Sequence, residues 1–282
     1  MELSIIIPTY NKATRLYIVL KSIQQEVMRL HDPNDTEVIV IDDGSRDETA
    51  KTVVQYREQM QIKYVFQENS GLSAARNTGI RHASYKSLLF LDDDRIVCDG
   101  YLQRLSFGDA DIVFGRQKEW FIRNLDERLE QVYKIVSEQK ESLHQKTIDS
   151  RYYVKTKAIY EKTGTSIPWV GCIFANTLIK REIFEKIGVF SEQFVGWGFE
   201  DLDVSYRAFA AGYKIALNSE MITYHLYHQH GSDILKQRDR NYRVFFERNP
   251  DYPVRLYEDF YRNNISLSEY EEKVRDYYNS QK

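Results

Sequence analysis

An α/β fold with a doubly wound, mostly parallel sheet flanked by helices is predicted by three observations. Continuous apolar runs recur between Leu3 and Leu91, as in strands covered on both faces. Amphipathic segments with helical spacing separate these runs. Several of the runs end in short polar or acidic clusters, and such sheets bind ligands beyond the carboxyl ends of their strands.

The elements follow in order. Leu3 to Pro8 is the first strand, and Leu16, Val19, Leu20, Ile23, Val27 and Leu30 form one face of a helix. Val38 to Ile41 is the second strand, and Asp47 caps a helix running to about Met60. Ile62 to Phe66 is the third strand, Ser73 to Ala83 a helix, and Ser87 to Leu91 the fourth strand. After about Phe114 the organisation changes. Asn124 to His144 reads as a long charged helix with Leu125, Leu129, Val132, Ile135 and Val136 on its apolar face. Residues 145–165 carry no assignable pattern. Trp169 to Ala175 reads as a strand, Arg181 to Ile187 as a helix, and Val195 to Phe199 as a glycine-rich loop. Glu200 to Ala211 is helical, Ile222 to His225 a short strand, and the tail from Ile234 a helical C-terminal extension.

Composition narrows the function classes. The 282 residues carry a formal net charge of -3, which gives no electrostatic case for nucleic acid as a partner. A hydrophobic content of 42% is enough for a sizeable core. Two cysteines, Cys98 and Cys172, make no disulfide scaffold and suit a reducing compartment. The first apolar run stops at Pro8, too short for a signal peptide or a membrane span. A cytoplasmic protein is expected, with peripheral attachment at the inner face of the membrane left open.

Four clusters carry the chemistry. Leu91-Asp92-Asp93-Asp94 ends a strongly apolar strand, where bare carboxylates are expensive to keep. A cation shared with substrate phosphates, Mn²⁺ or Mg²⁺, would make such a cluster stable. Asp42-Asp43-Gly44-Ser45 reads either as a simple turn or as a carboxylate that accepts from a base or ribose. Arg76, in Gly71 to Asn77, is either a solvated helix residue or a phosphate partner. Gly196 to Asp203 places Trp197 between two glycines ahead of a run of carboxylates. Acidic residues favour helix starts in any case, but the indole reads as a cover for a sugar face and a carboxylate there as a general base. His225 is ambiguous between structure and metal, with His228 and His230 nearby in sequence. No G-x-G-x-x-G follows the first strand and no P-loop is present; Lys12 and Arg15 are too little for a triphosphate cradle, which argues against a nucleotidyltransferase.

Pro8-Thr9-Tyr10-Asn11, Asp42 to Ser45, Gly71 to Asn77 and Phe90 to Asp94, in this order and spacing, resemble the N-terminal half of family 2 glycosyltransferases with a GT-A fold. Gly196 to Asp203 followed by Tyr224-His225 is similar to the C-terminal part of chondroitin polymerase and the beta-galactosyltransferases. The resemblance implies a nucleotide-sugar-binding half at 1–115, an acceptor-binding and catalytic half at 116–235, and a helical tail at 236–282. It implies a metal-dependent, inverting transfer of a sugar from a UDP-sugar to a hydroxyl of a glycan, lipid-linked or protein acceptor. Pro8, Thr9, Tyr10, Asp43, Arg76, Asp92 and Asp93 would line the nucleotide site. Asp94, His225 and Asp92 would hold Mn²⁺ or Mg²⁺. Asp201 matches the catalytic base and Glu200 the residue that binds acceptor hydroxyls. Trp197 and Gly198 form the lid, and Trp169 is a further expected substrate contact. Phe199 departs from the small residue frequent in those relatives. Two other readings stand beside this one: a retaining GT-A transferase, and a non-catalytic glycan- or nucleotide-binding module. The tail leaves a homodimer open.

Overall fold

The structure, a computed structural model, describes residues 1–138, 140–161, 164–228 and 233–281. Its first half is built from β1 (Leu3–Thr9), α1 (Ala13–Val27), β2 (Thr36–Asp42), α2 (Thr49–Val54), β3 (Ile62–Phe66), α3 (Leu72–His82) and β4 (Ser87–Leu91). These strands lie parallel in the order β3-β2-β1-β4. Every residue of β1 and β2 is buried, as two-sided covering requires. Ile5, Ile7, Val38 and Val40 meet Leu16, Val19 and Ile23 of α1 on one face. Ile6, Ile39 and Phe90 meet Ala75 and Ile80 of α3 on the other. Gly79 lets α3 approach closely: a Cβ there would lie 2.3 Å from Ile6 Cγ2.

The second half continues the same sheet. It adds β5 (Arg95–Val97), β6 (Ile112–Trp120), β7 (Ile148–Asp149), β8 (Asn176–Lys180) and β9 (Ile215–Leu226). Among the described residues the full order is β3-β2-β1-β4-β8-β6-β9-β5, with β7 paired to β6. The sheet therefore crosses the expected break at residue 115 without interruption. The helices are α4 (Leu129–Glu138), α5 (Leu143–Lys146), α6 (Arg151–Tyr160), α7 (Glu182–Ile187), α8 (Glu200–Ala210), α9 (Ile234–Arg248), α10 (Tyr252–Tyr261) and α11 (Leu267–Ser280). No helix among the described residues is long and apolar enough to cross a membrane.

Several expectations need correction. The segment from Trp169 is not a strand. Pro168–Gly171 is a buried 3-10 turn, and the strand begins at Asn176. Its apolar residues fill a core without any strand neighbour to bond. The strand β6 escaped notice because Arg116, Lys118 and Glu119 interrupt its apolar pattern. Each of these charges has a partner: Asp149 for Arg116, the His144 carbonyl for Lys118, and His225 for Glu119. The helix expected to reach Met60 ends at Val54. The long helix expected at 124–144 is broken into α4, α5 and 3-10 turns, and its apolar face covers α1, with Tyr133 stacked on Tyr17 at 4.9 Å. The unassigned 145–165 stretch contains β7 and α6.

The tail is welded to α8. Phe199, Trp169 and Tyr206 share a core with Tyr242, Phe245, Tyr257 and Tyr270 of the tail helices. Asp203, fully buried on α8, accepts from Arg207 Nε (2.9 Å), Arg248 Nε (3.0 Å) and Asn249 Nδ2 (2.9 Å).

Candidate active site

The carboxyl ends of β1, β2 and β4 bring Thr9, Asp43 and Asp92 to Asp94 to one rim. Pro8 and Thr9 are buried at the end of β1, and Tyr10 projects beyond them, 48% exposed. Asp43 organises its surroundings. Its Oδ1 accepts from Gln67 Nε2 (2.7 Å) and Ser70 N (2.9 Å), and its Oδ2 from Gly71 N (2.8 Å). The loop leading into α3 is thus folded around one carboxylate. The turn and the binding readings of Asp43 coexist, because Oδ2 retains acceptor capacity. Asp42 is tied to the Tyr64 hydroxyl (2.6 Å) and Ser45 N (2.7 Å).

The three aspartates face different ways. Asp94 lies against His228 Nε2 (3.2 Å), His225 Nε2 (3.6 Å) and Lys12 Nζ (3.0 Å). Burial works against its charge, but the two imidazoles and the lysine hold its carboxyl well below the usual carboxylate range. Asp93 lies 3.3 Å from the same ammonium; burial pushes it up to about 6 against that attraction. Asp92 points instead toward Arg76 (3.4 Å). One ligand atom each from Asp94, His225 and His228 lie within 4.8 Å of one another. A carboxylate with two imidazole nitrogens suits Mn²⁺ better than Mg²⁺. Asp92 stands outside this group, and His230 lies outside the described residues.

Glu119 was not anticipated. Its Oε2 is 2.6 Å from His225 Nδ1, so it fixes the ring and leaves Nε2 turned toward Asp94. Burial raises the Glu119 carboxyl, but the bond to His225, the charge of that ring and Arg95 together hold it below the usual glutamate range. Glu119→Gln is expected to weaken Mn²⁺ binding by about 10–100-fold, measured by titration calorimetry without nucleotide. An unchanged affinity would show that Glu119 does not support the site.

Arg76 is buried between carboxylates from both halves of the chain. It donates to Asp201 Oδ1 (2.7 Å) and lies 3.4 Å from both Glu200 and Asp92. Asp201 Oδ2 accepts from Phe174 N (3.0 Å), so both oxygens are oriented. Burial raises the Asp201 carboxyl, Arg76 opposes this and Asp92 adds to it. Glu200 is pushed up to about 7 by burial and by Asp201, against Arg76, and its Oε2 has no hydrogen-bond partner among the described residues. Raised carboxyls of this kind are frequent at functional sites.

The loop ahead of α8 presents Trp197 at the surface, 47% exposed, with Gly198 beside it at φ +99°. Phe199 adopts φ 74° and buries its ring against Phe245, Tyr242 and Tyr261, so it fills the tail core. Trp169 must be corrected: it is 0% exposed and packed on Tyr206 (5.0 Å) and Tyr257 (5.5 Å), a core residue that substrate does not reach. Trp169→Ala is expected to destabilise the fold by about 3–5 kcal/mol, read as a lower denaturation midpoint. His228 lies three residues beyond His225 in sequence, whereas Glu119 lies on β6, where a polar run masks the strand.

Residues 4–188 match the model of a family described as Glycosyl transferase family 2, and residues 155–230 match one described as the N-terminal domain of galactosyltransferase. Validoxylamine A glucosyltransferase of Streptomyces hygroscopicus subsp. jinggangensis is 32% identical over 77% of this chain and 54% of its own length. Chondroitin synthase of Pasteurella multocida is 29% identical over 79% of this chain and 24% of its own. The chain spans about half the length of the first of these relatives. The structure of S. aureus TarS 1-349 with UDP-GlcNAc superposes with a TM-score of 0.61 at 17% identity, over 88% of this chain and 66% of that one. The mannosyltransferase PcManGT of Pyrobaculum calidifontis, with GDP-Man and Mn²⁺, gives 0.58 at 18%, over 97% and 68%. The fold is that of the GT-A glycosyltransferases.

Proposed function

Because the chain belongs to glycosyltransferase family 2, we propose that it transfers a sugar from a UDP-sugar to a hydroxyl of a glycan or glycoconjugate acceptor, with inversion. The observation that carries this reading is the convergence of an Asp94–His225–His228 group and a half-buried Asp201, joined through Asp92 and Arg76.

In this reading Thr9 and Asp43 hold the uridine, with Pro8 and Tyr10 lining the same edge. Asp94, His225 and His228 would hold Mn²⁺, with Asp92 and Asp93 facing the donor. The cation, when bound, supplies positive charge beside the leaving diphosphate. Asp201 takes the proton of the acceptor hydroxyl. The freed oxygen bonds to the anomeric carbon from the face opposite UDP, the bond to the diphosphate breaks, and UDP leaves. Arg76 and the Phe174 amide orient the Asp201 carboxylate for this. The unpartnered Glu200 oxygen accepts from an acceptor hydroxyl. Trp197 and Gly198 cover the sugar.

Chondroitin synthase and the Campylobacter jejuni GalNAc(5)-diNAcBac-PP-undecaprenol beta-1,3-glucosyltransferase, 39% identical over 37% of this chain, support a glycan or lipid-linked acceptor. The test is incubation with a panel of UDP-sugars, Mn²⁺ and glycan acceptors, with the anomeric configuration of product read by NMR. An inverted product is expected. A retained configuration would replace the Asp201 mechanism, and UDP binding without turnover of any donor would favour a binding module.

A further inference from the structure

The tail beyond residue 235 has no part in the chemistry described so far, yet its first helix reaches the lid. Asn241 on α9 is 0% exposed, and its Nδ2 donates to the carbonyls of Gly198 (3.0 Å), Trp197 (3.1 Å) and Val195 (3.3 Å). One turn earlier, Gln237 Oε1 accepts from the backbone N–H of Trp197 at 3.1 Å. Arg240 adds a bond to the Val195 carbonyl. The fit leaves no slack: a Cβ on Gly196 would lie 2.5 Å from Gln237 Oε1.

These bonds meet a backbone that does not favour its own conformation. Gly196, Gly198 and Phe199 all have positive φ, at 79°, 99° and 74°. For phenylalanine that is unfavourable by about 1–3 kcal/mol and persists only where the surroundings over-determine it. A glycine-flanked segment left to itself samples many conformations. Here three of its carbonyls converge on one buried amide, and the Trp197 N–H donates to a second side chain of the same helix. The next residues are Glu200 and Asp201, so the same clamp sets where α8 begins.

We propose that α9 is a positioning arm for the active site: Asn241 and Gln237 hold the 195–199 loop so that Trp197 is presented at the rim and Asp201 is aligned beside Arg76. They touch no substrate; they act through the loop. The inference about catalysis rests on the transferase reading, whereas the inference about the loop stands on the hydrogen bonds alone.

The chain offers its own reporter. It has three tryptophans; Trp120 is 6% exposed and Trp169 0%, so a collisional quencher in water reads Trp197, at 47%. The experiment compares wild type, Gln237→Ala, Gln237→Glu and Asn241→Ala by acrylamide quenching, by UDP calorimetry with Mn²⁺, and by release of UDP from a UDP-sugar. Gln237→Ala removes the acceptor for Trp197 N–H; Gln237→Glu keeps a carboxylate oxygen there. In both alanine variants the quenching constant is expected to change, while UDP affinity stays within two-fold of wild type. Turnover is expected to fall about five-fold in kcat for each hydrogen bond lost. Gln237→Glu is expected to restore both readouts. Wild-type quenching and turnover in Gln237→Ala would overturn the proposal, whether or not Asn241→Ala folds. Altered quenching that Gln237→Glu does not rescue would also overturn the assigned contact. If no variant, wild type included, binds UDP, the transferase reading fails while quenching still decides the clamp.

Discussion

Asp201→Asn is expected to lower sugar transfer about a thousand-fold while leaving Mn²⁺-dependent UDP binding intact. The substitution preserves shape. An amide oxygen still accepts from Arg76 or Phe174 N–H, but no oxygen remains basic enough to take the proton of an acceptor hydroxyl. The same carboxyl sets a pH dependence. Burial raises it above the ordinary aspartate range, with Arg76 opposing. Transfer should therefore fall as pH drops through this raised range and recover above it, because the protonated form is not a base. The rate profile of wild type and the calorimetric UDP affinity of the variant check both statements. A variant with full transfer would remove Asp201 from the mechanism.

Asp94→Ala is expected to abolish the Mn²⁺ dependence of UDP binding, weakening it by more than about 100-fold, beyond what losing a residue behind a ligand costs. The argument is one of charge and convergence. Asp94 is where both imidazoles and the Lys12 ammonium meet. Removing it leaves His225 with Glu119 and Lys12 with Asp93. Calorimetry of UDP with and without Mn²⁺ is the measurement. If the variant bound UDP as tightly as wild type and still required Mn²⁺, the cation would sit elsewhere. Little rests on the choice of UDP over GDP here: both nucleotides, run side by side, report on the same cluster.

The first half of the molecule was legible in the sequence because β1, β2 and β4 are buried on both faces. A run such as Ser87 to Leu91 has no other use, and the polar residues that end it must lie on a rim. The second half was not, for a physical reason in each case. β6 follows its apolar start with the polar run Arg116 to Glu119, and those charges read as surface until Asp149 and His225 are seen beside them. Trp169 to Ala175 looks like a strand because its residues are apolar, but that apolarity serves two cores: Trp169 and Val170 the one shared with the tail, Cys172 and Phe174 the one against the sheet. The aspartates, His225, Asp201 and Trp197 were recognisable from motif and spacing. Glu119 and the approach of His228 required the sheet, since β6 and β9 pair in register at Glu119 and His225. Arg76 was expected against phosphate; its contacts run to Asp201, Glu200 and Asp92, which only the closure of α8 onto α3 could reveal.

The buried Asp203 has a bearing on how this chain can be cut or recombined. Two of its partners, Arg248 and Asn249, belong to the tail, and α8 carries Glu200 and Asp201 one turn or less away. A chain ending near residue 235 would retain only Arg207 for that carboxylate and would bare the aromatic face around Phe199 and Tyr206 to water. Stripping partners from a buried charge costs about 3–5 kcal/mol, a large part of the stability of an ordinary domain. Tail and α8 therefore have to be inherited, truncated or grafted together. In chimaeras between related enzymes, the workable seam lies ahead of α8, and an exchange at the start of α9 must carry the matching surface of α8 with it.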